Sequence, residues 1–170
     1  MKTRFLTTVC ALLTLAVLLG GCSAGAEKAP KKEVGIQLYS VRSLIGAFGN
    51  NQEDYKPVLK QLADMGYTSV EAASYKDGKI YGQTPEQFRK DVEEAGMKVL
   101  STHCTINLSD EELAAGDFSK ALAWWDECIA AHKAAGAEYI VVPSMRKVST
   151  LEELATYCRY FNEVGARCKA

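Results

Sequence analysis

Four side chains in this sequence combine the right chemistry with the right places: Gln37, Tyr39, Glu71 and His103. A carboxylate and an imidazole can pass a proton between them near neutral pH. An amide and a phenol can hold the hydroxyl groups of a polar ligand. Each of the four ends a short apolar stretch: Val34-Gly35-Ile36-Gln37-Leu38-Tyr39, Thr68-Ser69-Val70-Glu71, and Lys98-Val99-Leu100-Ser101-Thr102-His103. If these stretches are strands, their polar residues gather at one end, the end at which ligands collect in α/β folds.

The elements that must position them follow a repeated grammar of helix pattern, glycine and buried strand. It occurs at Met65-Gly66-Tyr67, Ala95-Gly96-Met97 and Ala135-Gly136-Ala137. A glycine can take the left-handed conformation that closes a helix, and β-compatible residues follow each one. Helices are expected over Tyr55–Met65 and Phe88–Ala95, the second opened by Thr84-Pro85-Glu86-Gln87 as a capping box. Two more are expected, one through Phe118, Leu122, Trp125 and Ile129 and one opened by Thr150 and Glu153. Residues from Cys104 to Gly116 read as a polar loop, and Gly78 and Gly82 as another. Four strands alternating with four helices predict a parallel sheet with right-handed crossovers, either half of a barrel or an open doubly wound sheet. Counting from each glycine puts Ser69 and Glu71, then Ser101 and His103, on one side of their strands. Facing the inside of a barrel, they would converge with Gln37 and Tyr39 on its mouth.

The rest of the chain bounds the function. Residues 1–21 carry Lys2 and Arg4 ahead of the apolar run Phe5–Leu19, the pattern of a secretory signal. That run of about 15 residues is short of the ~20 that span a bilayer core. It ends at Leu19-Gly20-Gly21-Cys22, which resembles a lipoprotein cleavage site and implies lipid attachment at Cys22. Ser23, not Asp, follows Cys22, so the expected location is the bacterial cell envelope, on the periplasmic face of the outer membrane. Residues 22–33, rich in Ala, Gly, Lys and Pro, suit a flexible tether, and 34–170 suffice for one domain. The net charge of −1 becomes more negative without Lys2 and Arg4, which argues against a nucleic-acid partner. Six cysteines are present. With Cys10 in the leader and Cys22 lipidated, the domain keeps Cys104, Cys128, Cys158 and Cys168, read as small buried thiols. Cys158 and Cys168 would lie about 15 Å apart on one helix, beyond the ~6 Å that a bridge needs. His132, on a helix near Lys133, is read as facing solvent. No phosphate-binding glycine loop, nucleophile elbow or HExxH motif is present.

Taken together, Gly35-Ile36-Gln37-Leu38-Tyr39-Ser40-Val41-Arg42, Met65-Gly66-Tyr67 with Val70-Glu71, Ser101-Thr102-His103, and Gly136 through Pro143 resemble the sugar phosphate isomerase/epimerase superfamily, the xylose isomerase-like TIM barrels. The resemblance implies a (β/α)8 barrel of which this chain holds the N-terminal half, four parallel βα units. It also implies isomerisation or epimerisation of a sugar or sugar derivative by enediolate proton transfer, assisted by a divalent metal (Mn, Mg, Co or Zn). The family's metal ligands sit on strands of the other half, so no metal set is expected within this chain alone. Gln37, Tyr39, Glu71 and His103 carry over as substrate-binding residues, and the catalytic residues are left unassigned. Because sugar phosphates are scarce outside the cytoplasm, a free sugar is the expected ligand. Four parallel strands on their own leave two open edges and a bare inner face. The chain is therefore expected to be a truncated piece of a longer barrel, inactive as this fragment, or to close as a homodimer. Two other functions fit the same fold: a lyase or hydrolase of keto-sugar glycosides, and a non-catalytic carbohydrate-binding lipoprotein.

Overall fold

The computed structural model of the chain describes residues 32–47 and 54–170. The leader, Cys22 and nearly all of the tether lie outside the described residues. Glu33–Ala170 forms one compact unit, and among the described residues no helix is long and apolar enough to cross a membrane.

The chain opens with strand β1 (Gly35–Gln37), which passes into a 3-10 turn (Leu38–Val41) and the short helix α1 (Arg42–Ile45). Helix α2 (Lys56–Asp64) leads to β2 (Ser69–Ala72). A two-stranded hairpin, β3 (Tyr75–Lys76) and β4 (Lys79–Ile80), precedes helix α3 (Pro85–Glu94) and strand β5 (Lys98–His103). After β5 come α4 (Asp110–Ala115), α5 (Ser119–Ala134), β6 (Tyr139–Val141) and α6 (Leu151–Lys169). The main sheet runs β1-β2-β5-β6 with every neighbour parallel. This is the α/β architecture that the helix-glycine-strand grammar predicts, and Gly66, Gly96 and Gly136 take φ of 99°, 91° and 77° at the helix ends.

Helix faces and strand faces meet as the apolar spacing requires. Leu59 and Leu62 of α2, with Phe88 and Val92 of α3, pack on Val70 and Ala72 of β2 and Val99 of β5. A second cluster joins Leu122, Trp125 and Cys128 of α5 to Tyr157, Tyr160 and Val164 of α6. Inside it the Trp125 indole N–H donates to the Tyr160 hydroxyl at 2.6 Å, and that hydroxyl donates to the Ile106 carbonyl at 3.1 Å. A buried indole and phenol thus keep their polar ends partnered. Beneath α2 and α3, the buried Asp91 accepts from Tyr55 (2.7 Å) and Gln87 (2.8 Å) and pairs with Lys56 at 2.8 Å.

The structure departs from the sequence reading in several places. The first strand stops at Gln37, because the chain turns into the 3-10 segment where continued alternation is expected. The loop at Gly78 contains the β3-β4 hairpin, whose turn residues Asp77 and Gly78 have φ of 50° and 75°, as a type I′ turn demands. The polar loop after β5 contains α4, closed at its start by a complete capping box: Ser109 accepts from the Glu112 amide and Glu112 accepts from the Ser109 amide. His132, expected at the surface, is buried on the inner face of α5, whereas Cys158 and Cys168, expected as buried thiols, are exposed on α6.

Candidate functional site

The carboxyl ends of β1, β2 and β5 bring Gln37, Glu71, Ser101 and His103 together. Parallel pairing sets Gln37 beside Glu71. On the other side, β2 and β5 run in register from Ser69 with Lys98 to Val70 with Val99, then slip by one residue so that Glu71 faces Ser101. The extra residue on β5 is Leu100. Bulges of this kind turn a side chain toward a new neighbour. Here the slip places a hydroxyl beside the carboxylate where unbroken pairing would place a leucine.

The contacts are short. The Ser101 hydroxyl donates to Glu71 Oε2 at 2.6 Å, the Gln37 amide donates to Glu71 Oε1 at 2.6 Å, and His103 Nε2 lies 2.9 Å from the same Oε1. Gln37 Nε2 and His103 Nε2 are themselves 3.0 Å apart. Three polar atoms therefore form a triangle whose three sides cannot all be hydrogen bonds at once. With a proton on His103 Nε2, both Gln37 and His103 donate to Glu71. With that nitrogen bare, the amide can donate to it.

Burial acts to raise the Glu71 pKa, but the hydrogen bonds from Ser101 and Gln37 and the charge of His103 outweigh it, so the carboxyl is held below its ordinary value. Glu71 is an anion at neutral pH, and its side chain keeps 23% exposure and that of His103 18%. The pair is thus partly shielded yet open to a ligand. Such an anion can accept from sugar hydroxyls, and the adjacent imidazole can give or take a proton.

Tyr39 takes a different position. It lies in the 3-10 turn, half-buried, with the Arg42 guanidinium 4.4 Å over its ring. Because β1 ends at Gln37, strand alternation does not carry Tyr39 to the row of Gln37 and Glu71. Ser101 is the residue that the assignment of Gln37, Tyr39, Glu71 and His103 leaves out, although its odd step from Gly96 put it on the same side. The bulge at Leu100 that brings it opposite Glu71 has no local sequence signal.

Potential metal donors fall in two places. Glu71 and His103 supply two donor atoms, each engaged with the other, and by themselves they do not form the oxygen-rich set that hard divalent cations take. Cys104, Cys128 and His132 are, among the described residues, the one group of three whose ligand atoms lie within 4.8 Å of one another, and all three are buried. Burial lowers the His132 pKa. Its Nδ1 donates to the Cys128 carbonyl at 2.6 Å, and its Nε2 has no hydrogen-bond partner. This second group is soft in character and lies off the Glu71 row. A cleft of about 490 Å³ lies elsewhere again, lined by Asp110, Gly116, Arg146, Thr150, Glu153 and Arg159.

No family model and no curated protein matches the chain. Solved structures do. The chain is similar to a sugar phosphate isomerase/epimerase from Parabacteroides distasonis ATCC 8503, with 28% identity and a TM-score of 0.68 over 82% of this chain and 51% of that one. It matches the fold of a second sugar phosphate isomerase/epimerase from the same organism, with 23% identity and a TM-score of 0.66 over 87% of this chain and 51% of that one. The chain spans about half the length of both. Its four βα units thus have the partial TIM-barrel fold of sugar isomerase/epimerase proteins.

Proposed function

We propose that this chain forms one wall of the mouth of a sugar isomerase/epimerase-like barrel. Its ligand is a free sugar or sugar derivative, and the reaction moves a proton between adjacent carbons through an enediolate. The observation that carries the reading is the Gln37–Glu71–Ser101–His103 cluster at the carboxyl ends of parallel strands, in a chain with the fold of sugar phosphate isomerase/epimerase structures. Anionic Glu71 accepts from ligand hydroxyls, Ser101 and Gln37 hold it in place, and His103 exchanges a proton at Nε2 with a bound hydroxyl.

A divalent metal, if the complete barrel held one, would supply Lewis-acid chemistry to the sugar oxygens. The residues at the Glu71 site do not hold it alone, and no step here runs through it. The second reading is a carbohydrate-binding wall without turnover. Lipid anchoring at Cys22 in the cell envelope belongs to the same proposal, and it rests on the basic and apolar leader ahead of that cysteine.

The test is proton exchange. The complete barrel containing this chain is incubated in D2O with a panel of free aldoses and ketoses, with and without Mn²⁺, and deuterium at C1 and C2 is followed by NMR. Incorporation that disappears in His103→Ala supports the enzyme. Saturable sugar binding, unaffected by EDTA and without incorporation, replaces it with the binding reading.

A further inference from the structure

The buried thiols next to the candidate site are closer than unbonded atoms rest. Cys104 follows His103 at the end of β5, and Cys128 lies in the middle of α5. Both are free cysteines, at 6% and 0% exposure, with their sulfurs 2.8 Å apart. Carbon atoms in ordinary contact stand about 3.5–4 Å apart, and sulfur is no smaller. Two thiolates sharing a tetrahedral zinc at ~2.3 Å would stand about 3.8 Å apart, and a disulfide brings them to ~2.05 Å. We propose that Cys104 and Cys128 close a disulfide that pins the carboxyl end of β5 to α5.

The surroundings favour a bond over an ion. His132 offers Nδ1 to the pair at 3.4 Å from Cys128 Sγ, but that nitrogen already donates to the Cys128 carbonyl. The group has three members where a closed structural zinc site takes four. Cys158 and Cys168 are exposed and stay outside the pair. The bond encloses the loop after β5 and the whole of α4, so it shortens the unfolded chain's freedom across the segment that follows His103.

The chemistry is thiol–disulfide exchange. One cysteine thiolate attacks an external disulfide RSSR, releasing RS⁻ and forming a mixed disulfide. The second cysteine thiolate then attacks the protein sulfur and releases the other RS⁻. The two cysteines lose two electrons, RSSR gains them, and the two thiol protons end on two RSH. Both sulfurs are buried, and the hydrogen bond to Cys104, and then burial, push the Cys128 pKa up, so an external disulfide does not reach the pair in the folded protein. The bond therefore forms before α5 closes over β5, during folding. The proposal depends on the export reading only for the oxidant that a cell would supply.

The full chain is unfolded in denaturant with reductant, refolded in a glutathione redox buffer, blocked with iodoacetamide and digested without reductant. The expected product is a Cys104–Cys128 linked peptide pair, about 2 Da lighter than the two free-thiol peptides together. Its reduction should lower the unfolding midpoint by about 10 °C. A Cys104→Ala/Cys128→Ala double variant should show no such response to reductant. Alkylation of both cysteines, linkage of either to Cys158 or Cys168, or a stoichiometric zinc whose removal frees the two thiols would overturn the proposal. Pairing in vitro with free thiols in protein taken directly from cells would uphold the pairing and overturn export.

Discussion

Ser101 stands opposite Glu71 because β5 sets Leu100 aside in a bulge. One residue of slip exchanges an apolar neighbour for a hydroxyl donor 2.6 Å from the carboxylate. The ionisation of Glu71 is thus fixed by strand register as much as by the identity of the residue.

Ser101→Ala tests that relationship directly. Glu71 Oε2 loses its donor while staying partly buried, so the Glu71 pKa should rise, as followed by carboxyl ¹³C NMR. Stability should fall by about 1–3 kcal/mol, because the bond is to a charged group. An unmoved pKa would mean that Gln37 and His103 alone keep the carboxylate ionised.

The depressed Glu71 pKa also sets a pH window. A carboxyl whose folded pKa lies below its unfolded value of about 4.5 contributes stability above that value. The contribution is lost as pH falls through the folded pKa. Urea titrations from pH 7 to pH 2 should show wild type losing stability below about pH 4.5 more steeply than Glu71→Gln. Parallel curves would remove Glu71 from the acid response.

His132 works at a higher pH. It is buried with its pKa lowered by burial, so the unfolded chain takes up a proton before the folded one does. Stability should therefore decline as pH drops below about 6.5. The decline between pH 7 and pH 5 should be smaller in His132→Gln, measured by chemical denaturation. Equal declines would place the titrating group elsewhere.

His103→Ala should leave far-UV circular dichroism unchanged, since the side chain is partly exposed. Deuterium incorporation into sugar should fall by roughly 10²-fold or more if His103 moves the proton. Turnover at the wild-type level would reduce His103 to packing beside Glu71.

Cys22→Ala tests the anchor. Wild type produced with its leader should partition with membranes and carry the added mass of lipid, whereas the variant should stay unprocessed and unlipidated. A soluble wild type of unmodified mass would end the lipoprotein reading.

Much of the fold was legible because it rests on local physics. Gly66, Gly96 and Gly136 end helices where positive φ is needed, and Thr84 caps α3 by accepting from the Gln87 amide. The row of Gln37 and Glu71 followed from strand ends alone. Two other features had signals that went unused: Asp77-Gly78 for the hairpin, and Ser109 with Glu112 for the cap of α4. Alternation places Tyr39 in a strand, whereas it lies in the 3-10 turn, and nothing local marks the strand's end at Gln37. The bulge at Leu100 and the burial of His132 are set by packing between distant segments. His132 lies 4.7 Å from the Tyr75 ring, a neighbour that only the folded chain supplies.

The triangle of Gln37, Glu71 and His103 has more sides than its protons can satisfy together. Its wirings differ in where protons lie and not in where heavy atoms lie, so interchange asks for no rearrangement of the backbone. A hydroxyl arriving at Glu71 or His103 can select one wiring and relieve the contact left unsatisfied in the other. The cluster is thereby suited to any ligand that supplies both a donor and an acceptor on neighbouring carbons, as a sugar diol does.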